Sequence, residues 1–362
     1  VSTVPGGFQV EELRIPAALD GSTAARDFEH TVEARNAAEA ESYALPEMEF
    51  TAAELLPGWQ PSAHAPRRLL GARVDGRIVA RGTYETRTEG DAVGTAWISV
   101  QVHPAFTRRG IGRALADRAE ALAAQEGKSG IRAYATSAAA EGPRIAPPTG
   151  AGSLPADGRE VRFLLARGYA LEQIERGSRL GLPVEPAVLA GRRAIAEERA
   201  AGYRVLLWEG AAPAALREDL AVLATRMSTD APSGGLDVEE DVWTVDRWLE
   251  EEQREAESPR ASLYAAVEHL ASGRLVGYTQ LNVPAEIGRG VEQNDTIVMR
   301  EHRGHRLGML LKVANIQHLQ DRHPGHRSVI TFNAEENRHM LDVNEAVGFV
   351  PFAYEGAWQK RI

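Results

Sequence analysis

The sequence predicts an α+β fold used twice: two domains in tandem, each a mixed, mostly antiparallel central sheet flanked by helices. Three observations carry this. Two Gly-rich basic turns, "FTRRGIGRALADR" at 106–118 and "REHRGHRLGMLLK" at 300–312, each follow strand-like runs and open an apolar-faced helix. The order of segments around the two turns is the same. The interval from the turn to a later Gly-aromatic pair is 61 residues in the first copy (Thr107 to Gly168) and 45 in the second (Arg303 to Gly348). The difference of 16 is about what an Ala/Gly/Pro-rich loop adds to the first copy, so the repeat is a whole domain, not a short solenoid unit.

The first copy begins with a strand, "FQVEELRIP" at 8–16, and a polar Ala-rich helix at about 22–42. Residues 68–87 read as a hairpin around Asp75-Gly76, a favoured turn pair. A strand at 92–102 ends at His103-Pro104 and leads into the first turn. Ile111, Ala114, Leu115, Ala119 and Leu122 then mark one face of a helix that stops near Gly127. Residues 130–137 are a strand and 138–158 a flexible loop, and "REVRFLLAR" is a helix closed by Gly168-Tyr169. The second copy repeats this order. It has a strand at 203–210, helices at 214–227 and 241–257, a hairpin at 262–283 around Ser272-Gly273, and a strand at 293–299. A helix with Leu307, Leu310, Leu311 and Ala314 inward follows, then a strand at 328–333 and a helix closed by Gly348-Phe349. The expected division is 1–182, a connecting helix in 183–202, and 203–362.

Composition narrows the chemistry. Of the 362 residues 43% are hydrophobic and 25% charged, the mix of a soluble globular protein. No apolar run reaches the roughly 18 residues that a membrane helix needs. The first residues show no basic head and no apolar core, so no signal peptide is expected, and the reading points to the cytoplasm. There is no cysteine, which excludes disulfides, thiolate metal sites and a cysteine nucleophile. The net charge of -10 argues against bulk nucleic-acid binding, which requires many neutralised phosphates.

A helix N-terminus leaves about four backbone N–H groups unpaired and carries roughly half a positive charge. Glycines let a ligand approach that backbone, and flanking arginines add charge, so each turn is a diphosphate cradle. A P-loop would need Gly-Lys-Ser/Thr, which neither copy has. A dinucleotide turn would need a third glycine in a βαβ unit opening the domain. A diphosphate bearing a long pantetheine arm, coenzyme A, remains.

Thr107-Arg108-Arg109-Gly110-Ile111-Gly112 and Arg303-Gly304-His305-Arg306-Leu307-Gly308 resemble the acyl-CoA turn of the GNAT superfamily, Gln/Arg-x-x-Gly/Ala-x-Gly/Ala. Two such turns, each in the family's strand order with the Gly-aromatic ending, extend the resemblance over nearly the whole chain. The tandem arrangement is similar to that of mycothiol synthase and related two-domain actinobacterial acetyltransferases. Neither turn is complete: Thr107 stands where Gln or Arg is usual, and Arg306 where Gly or Ala is usual.

The resemblance implies an acetyl-CoA-dependent N-acetyltransferase acting on a primary amine of a small molecule, such as an amino sugar, polyamine, antibiotic or metabolite. The acyl group passes directly to the amine, in keeping with the lack of cysteine. It implies cofactor contacts from the end of the fourth strand, Val102 and Val298, from the two turns, and from Asn333 and Asn337. A base is expected on or near the fourth strand, Asp295 or Glu292 in the second copy. The first copy's strand has no carboxylate, and Glu85 on the preceding strand is its nearest option. The usual acid, a tyrosine four residues before the closing glycine, is replaced by Leu164 and Asn344, leaving Tyr354 as a substitute. These features assign catalysis to the second copy. The alternative is a non-catalytic CoA-binding or regulatory protein with both sites degenerate.

His302 and His305, and the group His318, His323 and His326, read as polar surface histidines in preference to a metal site. The acidic run at 237–257 reads either as a solvated helix with Trp243 and Trp248 inward or as a recruiter of a cationic amine. Acyl chain length and oligomeric state stay open.

Overall fold

The computed structural model describes residues 2–4, 7–137, 140–237 and 239–362. Val1, Pro5 and Gly6 of the terminus, Ala138 and Ala139 of the expected loop, and Val238 of the acidic run lie outside the described residues.

Strand β1 (Ser2–Val4) pairs antiparallel with β2 (Phe8–Leu13). Helix α1 (Thr23–Tyr43) starts where the Ser22 hydroxyl accepts the Ala25 N–H, and it buries Ala25, Phe28 and Val32. A short helix, α2 (Ala52–Trp59), has no counterpart in the sequence reading; a Thr51/Glu54 capping box opens it. Strands β3 (Arg67–Val74) and β4 (Arg77–Thr86) form the expected hairpin, with Asp75 and Gly76 both at positive φ (48° and 83°). β4 pairs antiparallel with β5 (Thr95–Val102), and α3 (Ile111–Gln125) follows the first turn. Strand β6 (Gly130–Thr136) runs parallel to β5, but register is kept only from Thr95↔Gly130 to Ile98↔Ala133. Beyond that point the two strands part and leave a wedge.

The expected flexible loop is partly ordered. β7 (Arg144–Ile145) and β8 (Leu154–Pro155) pair, and Leu154 is buried in the core. Next come α4 (Arg159–Ala166), β9 (Ala170–Gly181), α5 (Pro186–Glu197), β10 (Tyr203–Glu209), α6 (Arg217–Asp230) and α7 (Val245–Glu257). The chain ends with β11 (Ala261–His269), β12 (Arg274–Val283), β13 (Val291–Val298), α8 (Leu307–Arg322), β14 (Ser328–Ala334), α9 (Arg338–Val347) and β15 (Val350–Arg361). Among the described residues no helix is long and apolar enough to cross a membrane.

The chain forms two compact units, and they are not contiguous halves. Unit one is Val1–Ile174, Gly234–Asp237 and Ala353–Ile362; unit two is Glu175–Ser233 and Val238–Phe352. This corrects the expected division at 182 and 203, and the reason is strand pairing. Glu355–Arg361 of β15 pair antiparallel with Thr136–Gly130 of β6, which completes the sheet of unit one. Glu175–Gly181 of β9 pair antiparallel with Ala334–Ser328 of β14, in unit two. Each unit thus takes a strand from the other half of the sequence. Trp358 of β15 is 1% exposed and fills the unit-one core with Tyr84, Leu115 and Ile131. The expected connector contains α5, which packs on α8 within unit two through Leu189 and Ala196.

Candidate functional site

The two turns share one backbone. The second and fourth residues of each are left-handed: Arg108 (φ 60°) and Gly110 (85°) in unit one, Gly304 (85°) and Arg306 (55°) in unit two. Each turn thus holds one glycine and one arginine at these positions, in opposite order. Arg306, the departure from the family pattern, keeps the geometry a glycine would give. In both turns the fourth residue caps a long helix, whose first N–H groups face the turn.

The side chains separate the copies. In unit two, Arg306 donates to the Ile195 carbonyl (3.2 Å), and His305 Nδ1 contacts the Arg199 carbonyl (3.2 Å). Arg303 donates to the Val298 carbonyl (3.1 Å) and faces Asp230 (3.4 Å). All three are engaged within the protein. In unit one, Thr107 donates to the Pro104 carbonyl (3.0 Å) and Arg109 lies over the Phe106 ring (5.1 Å), while Arg108 lines a cavity.

That cavity, about 630 Å³, is within the usual range for a small-molecule site. Its lining includes Arg108, Gly110 and Gly112 of the turn, Ile98–Val102 of β5 and Ala133–Thr136 of β6 along the wedge, and Tyr43 and Glu355. In unit two a cavity of about 490 Å³ lies at the turn, lined by Val298, Arg303, Gly304, Arg306, Leu307 and Gly308 among others. Asp295 opens instead into a different cavity of about 270 Å³, and the two share no lining residue.

Glu355 lies opposite Thr136 in the β15–β6 register. Its Oε1 accepts the Thr136 hydroxyl (3.0 Å) and the Tyr43 hydroxyl. Burial pushes its carboxyl above the ordinary range, and the two hydroxyl donors offset this only in part. Burial, and then the neighbouring carboxylate, push the Tyr43 phenol far up, so it stays a donor. No sequence motif marked Glu355; it stands 219 residues from its pairing partner.

The sequence-derived candidates fare differently. Glu85 is held by Arg67 (2.6 Å) and Arg87. Burial would raise its pKa, but the two guanidiniums bring it below the ordinary value. Glu292 is bridged to Arg260 (2.9 Å). Asp295 accepts the Tyr278 hydroxyl (3.2 Å) and keeps a solvent-accessible edge, yet the surrounding protein raises its pKa by desolvation. Tyr354 corrects the reading that gave it to the second copy: β15 carries it into unit one, where it packs against the core. Asn333 accepts from Asn344 (2.6 Å), and Asn337 is the N-cap of α9, accepting from Met340 N–H (3.3 Å). Both are used within the fold. Val102 lines the unit-one wedge, as does Leu164 at the position of the missing tyrosine. His302 bonds the Tyr203 hydroxyl (2.9 Å) and packs with His269, while His305 also lies against Tyr203.

Residues 33–142, which include the first turn and most of the wedge, match the acetyltransferase (GNAT) family model. Over its whole length the chain has a tandem GNAT fold. It is similar to a tandem GNAT protein from the clavulanic acid biosynthesis pathway (23% identity, TM-score 0.71, 98% of each chain covered). It is also similar to a GCN5-related N-acetyltransferase from Sphaerobacter thermophilus (16% identity, TM-score 0.63, 99% of this chain and 97% of that one). A putative acetyltransferase from Pyrococcus horikoshii matches at 12% identity and TM-score 0.52, over 100% of this chain and 92% of that one. No curated protein sequence matches it significantly.

Proposed function

We propose that the chain is an acyl-CoA-dependent N-acyltransferase acting on a small primary amine, and that the wedge of unit one carries the reaction. The observation behind this is the continuous cavity that joins an anion-binding turn to a carboxylate of raised pKa. The residues fit the cofactor. The first N–H groups of α3 and Arg108 would hold the diphosphate, and the parted edges of β5 and β6 would flank the pantetheine arm. Acyl-CoA supplies an activated acyl thioester. Glu355 takes the proton that the ammonium loses, while Tyr43 and Thr136 hold Oε1 and leave Oε2 to receive it. A pKa raised toward the working pH makes a carboxylate a better base than an exposed one. Ile98, Val100 and Phe163 give the cavity an apolar part of its wall.

Unit two reads as the copy without transfer, because its turn side chains are committed to protein partners and its Asp295 lies in another cavity. The likeness to mycothiol synthase rests on the tandem arrangement alone. The experiment is thiol release from acetyl-CoA against a panel of primary amines. Amine-dependent release is expected. Tight acetyl-CoA binding with no release for any amine would favour the non-catalytic alternative.

A further inference from the structure

The 270 Å³ cavity of unit two has walls unlike those of the wedge. Its aromatic lining packs around Trp248: Tyr278 meets it edge-on (6.1 Å, 84°), and Tyr264 (6.3 Å) and Trp243 (6.1 Å) lie tilted beside it. Trp248, Tyr264 and Tyr278 are each buried. Two carboxylates complete the lining. Glu255 accepts the Tyr264 hydroxyl (2.9 and 3.0 Å) and the Gln280 amide (2.6 Å), and Asp295 accepts the Tyr278 hydroxyl (3.2 Å).

The other acidic groups around this cavity are matched by cations: Asp241 by Arg247, Glu251 by Arg254 and Glu252 by Arg217. Among the described residues, no basic side chain bonds Glu255 or Asp295. Neutral donors alone hold them, and desolvation raises both pKa values. Aromatic faces attract cations through their quadrupole, most strongly when water is excluded. The cage already shows this from outside, where the Arg247 guanidinium stacks 4.1 Å from the Trp243 centroid. A buried aromatic wall with two carboxylates that lack a counter-ion is completed by a cation of small volume.

We propose that this cavity binds the ammonium group of a small organic cation, independently of the acyl-CoA wedge in unit one. The rings provide the cation–π faces, and Glu255 and Asp295 provide the counter-charge. Binding is tested on the full chain by calorimetry at constant ionic strength, using choline and its neutral isostere with a tert-butyl group in place of the trimethylammonium. Saturable choline binding is expected, with the isostere weaker by about tenfold or more. The Glu255→Gln/Asp295→Asn double variant should lose choline affinity by a similar factor while acetyl-CoA affinity is unchanged. If the double variant does not fold, Asp295→Asn alone carries the test. Equal binding of the neutral isostere, absence of saturable binding, or undiminished affinity in the folded variant would overturn the proposal.

Discussion

Replacing Glu355 by Gln lowers kcat by about 10²–10⁴-fold, the range associated with loss of a positioned proton acceptor. Glutamine is nearly isosteric. Its Oε1 still accepts the Thr136 and Tyr43 hydroxyls, so this part of β15 keeps its place. Only the capacity to take a proton is lost. Acetyl-CoA affinity should stay within about twofold, since Glu355 is no part of the turn that would hold the diphosphate. The pH profile separates a chemical role from a structural one. In the wild type the base must be ionised, so activity falls as pH drops through the raised pKa of Glu355. That acid limb should vanish in Glu355→Gln. In Tyr43→Phe it should move to higher pH, because one donor that favours the carboxylate is gone. An unchanged kcat, or an acid limb that survives in Glu355→Gln, would contradict the assignment.

The second large effect is on stability. Lys312, on α8, is 1% exposed and lies 5.7 Å from the Phe349 ring centroid. Among the described residues no carboxylate bonds it. Burial pulls its pKa down to about 7 from 10.5. The unfolded chain therefore binds this proton more readily between those two values, and stability contributed by the site rises with pH across that window. The slope approaches about 1.4 kcal/mol per pH unit at most. Below pH 7 the penalty is fully present. Lys312→Met keeps an unbranched side chain, one atom shorter, and removes the charge. It should stabilise the protein by about 2–4 kcal/mol at pH 6, and the gain should shrink toward pH 10. Urea unfolding of variant and wild type at both pH values isolates this one group from all others. A destabilised variant, or a gain independent of pH, would show that the amine is not carried buried and uncompensated.

The local structure was legible because it is written in neighbouring residues. Asp75-Gly76 dictates its hairpin through positive φ. The duplicated turns could be aligned residue by residue, and the left-handed positions fall at the same offsets. The site was less legible because it depends on pairing that local pattern does not specify. β9 and β15 went unrecognised as strands. Nothing in "ALEQIERGSRLG" or "VPFAYEGAWQKR" indicates that each runs out of one unit and into the other. The first copy therefore offered only Glu85 as a carboxylate, when β15 supplies another opposite Thr136. β15 likewise carries Tyr354 into unit one. The resemblance implies cofactor contacts at Asn333 and Asn337; in the structure Asn333 accepts from Asn344 and Asn337 caps α9.

The most direct test of where acyl-CoA binds is a calorimetric titration of acetyl-CoA into two variants, Gly112→Leu and Gly308→Leu. The two glycines hold equivalent places, one residue into α3 and α8. A Cβ on Gly112 meets Val102 Cγ2 at 3.5 Å, an ordinary contact, so the rest of a leucine extends into the unit-one cavity. A Cβ on Gly308 meets nothing within 4 Å, so that variant is sterically tolerated as well. Leucine at 112 should weaken acetyl-CoA by more than about tenfold, or 1.4 kcal/mol, while leucine at 308 leaves affinity unchanged. The reverse pattern, with affinity lost at 308 and kept at 112, would contradict the account and return the working site to unit two.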